Sequence, residues 1–146
     1  MLNMGDIFER IRKQSAEMAD IIQEEPSKSI LVVDDSLTTR TLVTGVLEVE
    51  GYQVSLAKSG EEALEILEGD SFNLVITDVE MPGINGFELS EKIRKSEKDK
   101  EIPIVILSSL ANEKDKRRGI AVGANAYFVK GSFEHAPFLE MVETLI

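Results

Sequence analysis

The sequence contains no cysteine and no tryptophan. Without cysteine there is no disulfide, no thiolate metal site and no cysteine nucleophile. The absence suits a reducing compartment, and a cytoplasmic location is expected. Histidine occurs once, as His135, two residues before Pro137. It reads as the solvated start of a helix rather than as a catalytic imidazole. There is no Gly-rich loop of Walker type and no G-x-G-x-x-G, so the chain shows no recognisable ATP site. Basic residues are scarce beside acidic ones, 16 against 27, for a net charge of −11. That balance argues against non-specific binding to nucleic acid or to anionic membranes, and neither is expected as a partner. No apolar run is long enough to span a bilayer. Residues 1–6 lack the basic and apolar regions of a signal peptide.

What is present fits one domain and an appendage: 146 residues, 42% of them hydrophobic. Residues 5–25 read as a polar helix with apolar positions at Met4, Phe8, Ile11, Met18 and Ile22, widened by Ile7 and Ile21. The spacing alternates four and three, with Ser15 filling the gap, and suits a helix–helix seam. Two readings stand side by side. One is a homodimer through residues 4–25. The other is an amphipathic linker that packs on its own domain or frays. Pro26 and the serines and lysine after it break the helix, dividing the chain into 1–28, helix and linker, and 29–146, the main domain.

From Ile30 onward strands and helices alternate. Strands are expected over 30–33, 52–57, 72–77, 102–107 and 127–129. Helices are expected over 36–50, 59–68, 87–95, 112–122 and from about 134 to the end. Leu42, Val43, Val46 and Leu47 form the inward stripe of the first of these helices, and Ile120 is the main anchor of the fourth. Continuous β-branched runs such as Ile30 to Val33 suit strands buried on both faces. Alternation with short loops means parallel strands and right-handed crossovers. The fold class is α/β: a flavodoxin-like doubly wound sheet of five parallel strands, order 2-1-3-4-5, with an N-terminal helical extension. Its ligands belong at the carboxyl ends of the strands.

The polar residues fall at that edge. Asp34 and Asp35 follow the first strand, Asp78 the third, Ser108 the fourth and Lys130 the fifth. In this strand order the three carboxylates converge. Their repulsion requires a proton or a cation. Oxygen donors with an open, watered side suit Mg²⁺, which offsets charge on a phosphoryl group. One carboxylate could then attack phosphorus, while Lys130 and the Ser108 hydroxyl meet the phosphoryl oxygens. Each residue alone has a plainer reading as a cap, a turn or a surface charge. The combination at one sheet edge carries the case.

Four ordered segments resemble the receiver domains of two-component response regulators: Val32-Val33-Asp34-Asp35-Ser36, Thr77-Asp78-Val79-Glu80-Met81-Pro82-Gly83-Ile84-Asn85-Gly86, Leu107-Ser108-Ser109 and Tyr127-Phe128-Val129-Lys130. The resemblance spans about residues 29–146. It implies that Asp78 is the phosphoacceptor. It implies that Asp35, Asp78 and the backbone carbonyl of Glu80 bind Mg²⁺ directly, with Asp34 acting mainly through a water. Ser108 and Tyr127 match the switch pair. The responding surface is the helix over 112–122, the fifth strand and the last helix. The donor is a histidine kinase or a phosphotransfer domain, and the target is a protein docked on that surface. Phosphotransfer and autodephosphorylation are self-catalysed, so the chain is not expected to be an enzyme in the ordinary sense.

Many receivers have proline after the fifth-strand lysine, where this chain has Gly131, and a trans bond is expected there. Lys130-Gly131-Ser132-Phe133 resembles receivers fused to chemotaxis-type histidine kinases. No output module follows the last helix in this sequence, and the chain reads either as a stand-alone regulator or as part of a hybrid kinase. Glu80 is expected to point to solvent. Lys114, Lys116, Arg117 and Arg118 form either a solvated face or a docking patch for an acidic partner. Three alternatives fit the sequence less well. A phosphatase of haloacid dehalogenase type would place an Asp-x-Asp after strand one, and a flavin carrier would need a hydroxyl-rich phosphate loop. An unphosphorylated pseudo-receiver would normally have lost one of the acidic or basic residues.

Overall fold

Apolar strands buried on both faces need a layer of helices on each side of the sheet. The computed structural model describes residues 3–24, 27–132 and 134–146, with 15–24 described by their backbone alone. After helix α1 (Met4–Glu24) the chain alternates β1 (Ser29–Val33), α2 (Leu37–Val49), β2 (Gln53–Ala57), α3 (Gly60–Gly69), β3 (Leu74–Thr77), α4 (Gly86–Lys95), β4 (Ile104–Ser108), α5 (Glu113–Ala121), β5 (Ala126–Val129) and α6 (His135–Leu145). The sheet order is β2-β1-β3-β4-β5, the flavodoxin-like order expected, and every pair is parallel, as the alternation predicts. No described helix is long and apolar enough to cross a membrane.

Successive residues of a strand point to opposite faces, so β1 feeds two cores. Leu31 and Val33 join Val75, Leu89, Ile93 and Ile106 on one side. Ile30 and Val32 join Val43, Leu47, Phe138 and Val142 on the other. Phe138 also meets Phe128 edge to face, 5.6 Å between centroids. Side chains satisfy the helix starts: Ser59 accepts the Glu62 N–H, Asn112 that of Asp115, and Asn85 forms a reciprocal capping box with Glu88. Gly123, at φ +105°, ends the α5 turn where a side chain would be strained. Strand β4 begins at Ile104, later than expected, because Pro103 just before it has no N–H for the ladder.

Two sequence expectations need correction. Leu42 is 49% exposed, and the inward face of α2 is Arg40, Val43 and Leu47, with Val46 partly buried against the same core. Ile120 is 54% exposed and does not anchor α5. The buried residue of that helix is Gly119, where an added Cβ would come 2.9 Å from the Tyr127 ring and 3.0 Å from Ile106. Arg118 stacks over the Phe87 ring at 4.6 Å, so part of the basic patch is engaged within the chain. Met4, Ile7, Phe8 and Ile11 of α1 are exposed, so that part of the stripe does not pack on the domain. The side chains of Ser15, Met18, Ile21 and Ile22, and the expected break at Glu25 and Pro26, lie outside the described residues.

Candidate functional site

Parallel register decides which residues meet at the carboxyl edge. Val33 pairs with Thr77, and Ser108 with Val129. The next residues, Asp34, Asp78 and Lys130, therefore leave the sheet beside Ser108. The loop backbone is tied down on both sides: the Asp78 N–H donates to the Val33 carbonyl at 2.9 Å and the Asp34 N–H to that of Ala57 at 3.0 Å.

One carboxylate oxygen from each of Asp34, Asp35 and Asp78 lies within 4.8 Å of the others. Asp34 and Asp78 are only 2% and 5% exposed, while Asp35 is open to solvent. The Lys130 Nζ lies 2.8 Å from Asp34 Oδ2 and 3.1 Å from Asp78 Oδ2. The second Asp78 oxygen accepts the Val79 N–H at 2.7 Å, and Asp34 Oδ1 accepts that of Ser36 at 2.8 Å. Burial, and then the Asp34 charge, push the Asp78 carboxyl above the usual range, against the pull of Lys130. Burial alone would lower the Lys130 ammonium, but its bond to Asp34 and the charges of Asp78 and Asp34 outweigh that and raise it. Asp34, Asp35, Asp78 and Lys130 thus converge as one charge cluster.

Ser108 and Tyr127 hold the same residue of the next loop. The buried Ser108 Oγ accepts the Leu110 N–H at 3.2 Å, and the Tyr127 hydroxyl donates to the Leu110 carbonyl at 2.7 Å. Burial raises the Tyr127 phenol above its ordinary range. Glu80 is exposed, as expected. Lys130 opens a short 3-10 turn (Lys130–Ser132), and no cis peptide occurs among the described residues. Phe133 lies outside them.

Sequence reasoning missed Arg40. Its side chain is buried, and Nη1 donates to the Asp34 carbonyl at 2.7 Å. A signal existed: positions 40, 43 and 47 share one helical face, so the apolar stripe contains an arginine. It also missed two supports of the Asp78 backbone. The Thr77 hydroxyl donates to the Asp78 carbonyl at 2.9 Å. A Cβ on Gly86 would come 2.0 Å from that same oxygen, so only glycine allows the approach.

The donor set suits a small hard cation: all oxygen, excess negative charge after Lys130, and one exposed carboxylate leaving room for water. A doubly wound sheet with a buried aspartate, an acidic cluster and a lysine at its carboxyl edge is the layout of an aspartate-centred signalling module. Residues 30–143 match the family model described as the response regulator receiver domain, and the chain belongs to that family. It is similar to the gliding motility regulatory protein of Myxococcus xanthus, with 37% identity over 90% of this chain. It spans 17% of that relative's length and 42% of another's. Its fold matches the chemotaxis protein CheY4 of Vibrio cholerae at TM-score 0.77 and 33% identity, covering 83% of this chain and 100% of that one. It matches the response regulator TrrA of Thermotoga maritima, solved with Mg²⁺ and BeF, at TM-score 0.73 and 39% identity over 82% and 99% of the two chains. Receivers of this family bind Mg²⁺ at an acidic aspartate cluster of the kind formed here.

Proposed function

We propose that Asp78 of this receiver domain accepts a phosphoryl group from the phosphohistidine of a histidine kinase or phosphotransfer domain. The observation that carries this is a nearly buried carboxylate gripped at one oxygen by a backbone N–H and at the other by Lys130, beside two further carboxylates. An Asp78 oxygen forms the new P–O bond as the P–N bond to the donor imidazole breaks, and the imidazole leaves with the electron pair. Lys130 then meets the phosphoryl oxygens in place of its present partner Asp78, and the Ser108 hydroxyl donates to another. Asp35, Asp78 and the Glu80 carbonyl would hold Mg²⁺, with Asp34 assisting through a water, and the ion would supply the remaining positive charge when bound.

The readout runs through Leu110. A Ser108 hydroxyl turned toward a phosphoryl oxygen gives up the Leu110 N–H, and Tyr127, bonded to the same residue, is coupled to that change. The surface of α5, β5 and α6 is then the docking face for a protein target. The division into 1–28 and 29–146, homodimerisation through residues 4–25 and a cytoplasmic setting belong to the same reading. A chemotaxis-type system draws support from the likeness to a chemotaxis protein and a motility regulator.

Incubation with Mg²⁺ and acetyl phosphate, or with a phosphorylated kinase, tests the assignment. Acid-stable, base-labile phosphate is expected on the wild type and not on Asp78→Asn. Label that persists in the variant sinks it. Asp35→Ala should weaken Mg²⁺ binding, and unchanged affinity would place the metal elsewhere.

A further inference from the structure

The loop over 78–85 carries Asp78 and, two residues on, the Glu80 carbonyl. It is fastened to the first turn of α3 by two reciprocal fits. Glu61 Oε1 accepts the Ile84 N–H at 2.8 Å, across 23 residues of sequence. The same carboxylate fills the space over Gly83, where an added Cβ would come 2.4 Å from Oε1. Gly83 also has φ +79°, a turn that side chains resist. In the other direction, the Ile84 side chain fills the space over Gly60, where a Cβ would meet its Cγ1 at 2.4 Å. Ile84 continues from there into the core. The bond to the Ile84 N–H is the main reason the Glu61 carboxyl sits below its ordinary range, so the acceptor is a charged carboxylate.

We propose that Glu61 is a positioning residue for the metal-binding loop: through Ile84 and Gly83 it sets the path of the 78–85 segment and so the aim of the Glu80 carbonyl. The inference rests on the proposed metal site. Glu61 touches no reacting atom. Its role parallels the outer partners that orient metal ligands elsewhere. Two glycines, one on each side of the joint, make the interlock specific rather than a chance surface contact.

The test uses the full chain labelled with ¹⁵N. Amide exchange at Ile84 is measured without metal, and then Mg²⁺ is titrated. Glu61→Ala should speed exchange at Ile84 and weaken Mg²⁺ binding roughly tenfold, whereas Glu61→Gln, whose amide oxygen accepts the same N–H, should stay within about twofold of the wild type. The proposal is overturned if Glu61→Ala binds Mg²⁺ as the wild type does. It is equally overturned if Glu61→Gln loses as much as Glu61→Ala, because the cause would then be charge and not the latch. A wild type that binds no Mg²⁺, or binding indifferent to Asp35→Ala, would overturn the acidic-cluster site itself.

Discussion

Asp78 shows how a single residue holds stability and chemistry in tension. Burial and the Asp34 charge raise its folded value above 3.8. A group raised on folding contributes stability that is fully present below the unfolded value and is lost as pH rises through the folded one. At neutral pH the ionised Asp78 is therefore a cost to the metal-free fold. Metal-free Asp78→Asn should melt above the wild type at pH 7, and the gap should narrow as pH falls toward 3.8. Thermal denaturation across that range checks this, and equal melting at pH 7 would mean that Lys130 already cancels the strain. The acidic and basic partners of Asp78 were legible in sequence because each follows a strand directly. Thr77 and Glu61 were not, because each acts on backbone atoms, and a hydrogen bond to a carbonyl or an N–H leaves no pattern of residue types; Arg40 left only its place within an apolar stripe.

Elements were read correctly in kind and order, less well in which face they bury. Period and turn residues identify a helix, but two adjacent apolar stripes look alike until a sheet covers one of them. That is why Leu42 is exposed beside buried Val43, and why Gly119 rather than Ile120 meets the sheet on α5. Close approach, not apolar area, holds α5, helped by Arg118 over Phe87. Helix α4 is the opposite case. A capping box of Asn85 and Glu88 fixes its start, and both hydrogen bonds are made, at 2.9 and 3.1 Å. Asn85→Ala should cost about 1 kcal/mol in urea denaturation. A loss of only a few tenths would mean that the Gly86 N–H to the Val79 carbonyl holds this turn unaided.

For the whole molecule, the open question is what covers α1. Its exposed apolar residues, Met4, Ile7, Phe8 and Ile11, predict association through residues 4–25. Light scattering should give a dimer mass for the full chain and a monomer mass for residues 29–146. A monomeric full chain removes the dimer reading. Removing the helix should leave the phosphoacceptor site intact, since every side chain that builds it lies beyond residue 33.

By itself the sequence determined the parallel pairing, the edge at which chemistry occurs and the residue types gathered there, because alternating elements admit few topologies and strand-end residues share one edge. Only the tertiary structure decided the rest. It showed Lys130 shared between Asp34 and Asp78, Leu110 held by both Ser108 and Tyr127, and Glu61 locked against Gly83. Those are matters of distance between segments remote in the chain, set by how the two cores pack against the sheet, and no local pattern encodes them.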